Sequence, residues 1–465
     1  MFASLHFVGD APHNLTCPYQ EVTTRMIYPN YLAAIQILRL GEQLPRRLQD
    51  LLAEDRHTEA ATTVREALST GGTPLFMAQH WQLLGDIQLL IGNFEAVETI
   101  HEKSLALMDG HPLLSSMSCR ATGLLMLVRG RLETASRCFV RNLQSPDEAM
   151  RLEALAICAL LFREGGMLRE AASFAMQLLG AASAIHHDGW RSLAHTPNRD
   201  IAVYRELLSS PRLHDHVYWH ASPSGASPST TLTPSVIFPN VPHAVHSILE
   251  HRQRQLTQLL AVAHGETAIQ QLDESTVRSS HPWPSSAAWS ARMSLQELAL
   301  AALAGGQPAA AARLLARVPA NIASIAQSTP IAGVVRPAQI EFAYCMAKSM
   351  MERGQPAEGL ALYRRYLKVA MDTIRSLAAT LNQLHDSVPS MDEATPSASN
   401  DPVALLPQRY RRAYEYLRQH HGRGDLSVHE VAASIGVSER ALQMRFKSVL
   451  GISPREAIQQ LRAHR

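Results

Sequence analysis

The sequence predicts an all-α protein, a helical-repeat solenoid followed by a C-terminal helix-turn-helix domain. Three observations predict it. A short glycine-centred phrase recurs at nearly constant spacing along most of the chain. The C-terminal end reads as two short amphipathic helices about a glycine. The composition, 46% hydrophobic but only 18% charged over 465 residues, suits Ala/Leu-rich buried helices. The chain is too long for one core and suggests about two to four domains.

The phrase is Gly92-Asn-Phe-Glu-Ala-Val97, then Gly130-Arg-Leu-Glu-Thr-Ala135, then Gly166-Met-Leu-Arg-Glu-Ala171, with Asp55-Arg-His-Thr-Glu-Ala60 as a degenerate earlier copy. From residues 55, 92, 130 and 166, the period is 36 to 38 residues. Each copy follows an apolar helix, such as those over 81–91, 117–128 and 152–162, and precedes a second helix with a small residue near its start. Gly306-Gln-Pro-Ala-Ala-Ala311 and Gly354-Gln-Pro-Ala-Glu-Gly359 repeat the phrase with one insertion between them. A regular period in this range denotes stacked helical hairpins. The pattern resembles tetratricopeptide-type repeats in loose form, because their Trp, Tyr and Pro positions are mostly absent. Such a stack implies a concave groove holding a protein or small-molecule partner.

Two stretches break the helical pattern. Ser, Thr and Pro dominate 213–242, and Ser, Pro, Asp and Asn dominate 386–402. The expected partition is a repeat region over 1–207, a linker over 208–242, a second repeat region over 243–385, a linker over 386–402 and the C-terminal domain over 403–465. His214, His216 and His220 cluster beside Asp215 in the first linker. At a mobile junction with nothing to orient them they are not read as a metal site.

In the C-terminal domain, Pro407 fits the first turn of a helix carrying Tyr410, Tyr414 and Leu417. Its Arg409, Arg411 and Arg412 either touch phosphate or form a solvated face. Ser427 and Glu430 make a capping box for the next helix. Val431 and Ile435 face inward, and Ala432 admits a close neighbour. Gly436 provides the turn, and Ser438 caps the following helix. Leu442, Phe446 and Val449 recur at helical spacing and point inward. Glu439, Arg440, Gln443, Met444 and Lys447 occupy the other side. Arginine suits a guanine edge, glutamine an adenine edge and lysine a phosphate. Gly451 ends this helix, and Ser453, Pro454 and Glu456 begin the next. Charge agrees: 11 of the 43 basic but only 5 of the 41 acidic residues fall in 403–465, an electrostatic footprint for DNA.

On Val431-Ala432, Gly436, Ser438, Leu442, Phe446-Lys447, Gly451, Ser453-Pro454 and Arg462, the end of the chain resembles the AraC/XylS family of transcription regulators. That family's module has two helix-turn-helix units joined by a long helix. The resemblance covers the first unit and the start of the joining helix, so the domain reads as a truncated module. It departs at Ala457, where an aromatic residue is usual, and at Arg445, where an apolar one is common. By resemblance, Arg440, Gln443 and Met444 meet bases, and the DNA-binding set is Ser438, Arg440, Gln443, Met444, Lys447 and Arg455. Length, repeats and this end together resemble the HrpB-type activators of type III secretion genes. The implied function is a sequence-specific DNA-binding transcriptional activator, with a homodimer as one way to replace a second reading unit. The alternative is a tetratricopeptide-like adaptor or chaperone regulator with a vestigial DNA-binding domain.

No phosphate-binding loop, G-x-S-x-G or H-E-x-x-H appears, so no enzyme and no cofactor is expected. Acidic pairs such as Asp147-Glu148 and Asp392-Glu393 read as caps or solubilising charges. Five cysteines without C-x-x-C spacing, among them Cys119, Cys138 and Cys158 in apolar helices, read as reduced core thiols. Without a signal peptide or an apolar run near 20 residues, a cytoplasmic protein with no membrane partner is expected.

Overall fold

A computed structural model describes residues 29–221, 238–265, 285–317, 337–385, 408–423, 426–435, 437–450 and 452–463, together with Leu406. They belong to two compact units, Met1–Asp386 and Ser387–Arg465. All regular structure among the described residues is helical. The first unit runs through α1 (Pro29–Leu40), α2 (Arg46–Ala53), α3 (His57–Thr70), α4 (Pro74–Ile91), α5 (Phe94–Ala106), α6 (Leu114–Val128), α7 (Leu132–Asn142), α8 (Glu148–Glu164), α9 (Leu168–Ala184) and α10 (Asp188–Ser209). It continues with α11 (Val217–Ala221), α12 (His243–Ala263), α13 (Ser285–Ala304), α14 (Pro308–Ala316), α15 (Pro337–Glu352) and α16 (Pro356–His385).

Among the described residues one device reverses the chain at six copies of the recurring phrase, and His186 (φ 52°), with the His187 N–H donating to the Ala182 carbonyl at 3.4 Å, makes a seventh turn of the same kind between α9 and α10. Asp55, Gly92, Gly130, Gly166, Gly306 and Gly354 all have left-handed backbone, with φ from 58° at Asp55 to 95° at Gly92. The next residue's N–H then donates to the carbonyl five residues back. The bonds run from Arg56 to Leu51, Asn93 to Gln88, Arg131 to Met126, Met167 to Phe162, Gln307 to Ala302 and Gln355 to Met350, at 2.8 to 2.9 Å. This closure satisfies a carbonyl that the helix end would otherwise leave unpaired. A second helix starts one residue later. Five residues beyond each of the six phrase reversals, where the two helices touch, the residue is Ala, Val or Gly. Ala60, Val97, Ala135, Ala171 and Ala311 are completely buried. At Gly359 an added Cβ would stand 2.9 Å from the Ala347 carbonyl oxygen. The resulting hairpins are α2/α3, α4/α5, α6/α7, α8/α9, α13/α14 and α15/α16.

Of the first helices, α4 and α6 are buried on more than one face, and α8 is buried along almost its whole length. A helix buried all round needs neighbours on both sides. On one side stands its hairpin partner. On the other, for α4, α8 and α10, stands α1, which also touches α12 and α13. Tyr31 to Leu38 of α1 are buried without a break. A single helix near the start of the described chain is thus packed against helices far apart in sequence.

The partition expected at 208–242 is not where this unit divides. α10 contributes Trp190, Leu193 and Ile201 to one core and Val203, Tyr204 and Leu207 to another. α12 does the same, with Val245 and Ile248 in the first core and Leu256 and Leu259 in the second. Two helices shared end to end between the cores bind both regions into one body. Composition misled at 213–221 as well. Leu213, Val217 and Tyr218 are buried in the second core. His216 is fully buried, 3.3 Å from Glu341, and Asp215 accepts from the Tyr344 hydroxyl (2.9 Å) and Lys348 (3.1 Å). His214 stacks on Trp219. The side chain of His220 lies outside the described residues. This stretch is a packed strap, and the rings of His214 and His216 are held by protein groups. Of the cysteines, Cys119, Cys158 and Cys345 are buried and Cys138 is partly exposed.

Charges are buried between the helices in matched sets. Arg120 (α6) lies between Asp86 (α4, 2.6 Å) and Glu153 (α8, 2.8 Å), and Arg39 of α1 is 3.5 Å from Glu153. Burial alone would lower the Arg120 pKa, but Asp86 and Glu153 outweigh it and the group is raised. A second set joins Arg252 (α12) to Asp200 (α10, 2.7 Å) and Glu297 (α13, 2.9 Å), with Arg163 (α8) 2.9 Å from each of the same carboxylates. Tyr31 of α1 donates to Asp200 (3.2 Å). One end of α1 is therefore tied to each set.

Removing one member of such a set leaves a buried charge alone. Arg120→Ala should cost about 3–5 kcal/mol, read as a lower denaturant midpoint of the first transition. Gly166→Ala places a Cβ 2.0 Å from the Tyr218 ring at a φ of +78°. It should cost about 3 kcal/mol from overpacking and left-handed strain together, whereas Gly180→Ala, with open space at its Cβ, should cost nothing measurable.

Candidate nucleic-acid interface

The second unit comprises α17 (Gln408–His420), α18 (Val428–Ser434), α19 (Glu439–Leu450) and α20 (Pro454–Ala463). Its core is small and continuous: Leu406, Ala413, Leu417, Val431, Ala432, Leu442, Phe446, Ala457 and Ile458. Leu442 and Phe446 are fully buried, with the Tyr414 ring 6.3 Å from that of Phe446. Ala432 is 2% exposed, small enough for α19 to cross close to α18. The side chain of Val449, and Pro407, Gly436 and Gly451, lie outside the described residues. The α18–α19 turn closes from the Val437 N–H to the Ala432 carbonyl at 3.0 Å, the same five-residue closure used in the first unit.

The caps are built as their residue types require. Ser427 accepts from the Glu430 N–H at 3.1 Å. The Glu430 carboxylate reaches out of the helix, accepting from the Tyr416 hydroxyl (2.7 Å) and from Arg423 (2.8 Å). This ties α18 to α17. At α20 the box is reciprocal: the Glu456 N–H donates to Ser453 Oγ (3.3 Å), and the Ser453 N–H donates to the Glu456 carboxylate (2.6 Å). That bond from the Ser453 N–H is the largest cause holding the Glu456 pKa below the usual carboxylate range. Arg462 closes the unit, donating to the His421 carbonyl (2.8 Å) and to that of Arg423. Sequence reasoning quoted Arg462 only as a family match. Its role is to join the last helix to the end of the first.

Of the residues singled out for DNA, Arg440, Gln443, Met444 and Lys447 stand on the exposed side of α19, opposite Leu442 and Phe446. Met444 is 64% exposed, unusual for a long apolar side chain. None of Arg440, Gln443 or Lys447 has a hydrogen bond or ion pair to a described side chain. Ser438 is exposed just before α19, its carbonyl accepting from Leu442 (3.0 Å). Arg455 is exposed on the first turn of α20. Arg445 points elsewhere, its guanidinium 5.9 Å from the Tyr410 ring centroid. Arg412 is exposed on α17, and the side chains of Arg409 and Arg411 lie outside the described residues.

Sequence reasoning passed over one pair. His429 Nδ1 on α18 is 2.9 Å from Glu439 Oε1 at the start of α19. The two lie ten residues apart across a turn, where helical periodicity gives no signal.

No helix among the described residues is long and apolar enough to cross a membrane, and no group of three or more metal-ligating side chains gathers among them. Over 361 residues the chain is 30% identical to the regulatory protein HrpB of Ralstonia nicotianae, covering 75% of this chain and 71% of that protein. No family model and no solved structure matches.

Phe446→Ala should unfold the second unit in isolation from the first. Its loss of about 3–5 kcal/mol is most of what so small a core supplies. Ser453→Ala should cost about 1 kcal/mol, seen as a modest shift of the same transition.

Proposed function

The chain belongs to the HrpB family of regulatory proteins, and from that premise we propose that it is a sequence-specific DNA-binding transcriptional regulator, an activator of type III secretion genes that works in the cytoplasm. On this reading α18 and α19 form a helix-turn-helix of AraC type, and α19 enters the major groove. Arg440, Gln443 and Met444 meet base edges, while Ser438, Lys447 and Arg455 meet the backbone.

The observation that carries the reading is the division of α19. Leu442 and Phe446 are fully buried, and the exposed Arg440, Gln443 and Lys447 stand opposite them. A helix held from beneath with its polar side chains outward is what groove reading requires.

The helical pairs of the first unit are, on the same reading, a tetratricopeptide-like array that receives a protein or effector. On this reading the surface offered to a partner includes that of the second helices. Large apolar side chains exposed in this unit support that surface: Met176 on α9, Leu360 and Met371 on α16, and Leu107 just after α5.

The test is a gel-shift titration of the full chain on duplex DNA over a range of salt. Affinity should fall steeply with salt, and Lys447→Ala should lower the slope of log K against log salt by about one. Arg440→Ala should erase discrimination at one base pair, by roughly 5- to 150-fold. Binding that is absent or insensitive to salt would instead favour an adaptor role.

A further inference from the structure

We propose that Glu439 is a base-reading residue that selects a cytosine, and that His429 is the residue that positions it; this rests on the DNA-reading assignment of α19. Glu439, Gln443 and Lys447 follow one another at four-residue spacing, so they form a single row along the helix, and all three are exposed. Glu439 is the first residue of α19, the end of a recognition helix that reaches base edges.

A carboxylate brought to a polyanion is repelled by every phosphate and loses its water. Cytosine and adenine both present an exocyclic amine that donates in the major groove, but adenine sets the N7 acceptor beside it, so cytosine compensates the carboxylate best. Opposite a guanine or thymine edge the carboxylate would face acceptors alone. The residue thus works chiefly by rejecting wrong sequences.

A free glutamate at this position would swing into solvent and discriminate poorly. Here it is held. Its Oε1 lies 2.9 Å from His429 Nδ1, and because an ionised carboxylate only accepts, that nitrogen carries the proton. His429 is itself 82% exposed, so nothing in the core depends on the pair. Its second oxygen remains available to a base.

The experiment is selection from a randomised duplex library with the full chain, followed by affinities for the selected site and its single-base variants. The unaltered protein should prefer cytosine at one position next to the base pair read by Arg440. Glu439→Gln should move that preference towards adenine, since a glutamine amide suits the adenine edge, with a change in relative affinity of about tenfold or more. Glu439→Ala should flatten the same position and leave the others unchanged. His429→Ala should weaken the cytosine preference without altering the salt slope. If the unaltered protein enriches no sequence, the DNA-reading assignment falls and this one with it. If it enriches a site but Glu439→Gln leaves every position unchanged, or Glu439→Ala raises affinity for all sequences equally, only the role of Glu439 is overturned.

Discussion

A helix that must fold back within two residues needs one residue in left-handed backbone and one amide aimed at a carbonyl five positions earlier. The first unit depends on that constraint. It appears at Asp55, Gly92, Gly130, Gly166, Gly306 and Gly354. At these six it sets the same entry point for the second helix, and the touching residue five positions on is Ala, Val or Gly. Helix direction, pairing and spacing all descend from it. The second unit uses the same closure between α18 and α19, from Val437 to Ala432. There the consequence is functional, because the angle at which α19 leaves the turn decides which side chains it presents.

Between the hairpins the unit holds charges that apolar packing alone would not need. Arg120 lies between carboxylates of α4 and α8, and Arg163 and Arg252 lie between those of α10 and α13. Such sets add little net stability, because desolvation offsets most of the attraction. They do fix register, since a helix that slid by one turn would strand a charge. In an array of similar hairpins, where apolar faces are nearly interchangeable, this gives each helix a unique place.

Much of this was legible in the sequence. The six reversals could be read because glycine and a following small residue mark them, and even Asp55 was recoverable from its phrase. The inward set of α19 followed from the spacing of Leu442 and Phe446, and the exposed set followed by subtraction. The remainder was hidden for physical reasons. Arg163 and Glu297, or Arg252 and Asp200, meet only through the fold, and no local pattern connects them. The strap at 213–221 follows the helix breaker at Pro211 and adjoins a Ser/Pro-rich run, yet Tyr218, Tyr344 and Tyr366 pack around its buried His216. Composition cannot tell a polar loop from a polar segment whose few aromatic and imidazole groups are buried. The His429–Glu439 pair spans a turn, where neither helical period reaches.

The burial of α1 has a bearing on how the molecule comes into being. This helix is the first described part of the chain to leave the ribosome, yet one of its neighbours, α13, is made only after eleven further described α-helices. Open stacks of hairpins add units as they are synthesised, each resting on the last. Here the earliest segment must wait for partners distant in sequence, and until they arrive an apolar helix carrying Arg39 and Tyr31 lacks its full setting. The setting of this helix is therefore complete only once the last of its neighbours has been made, and a nascent copy displays it until then to chaperones and proteases.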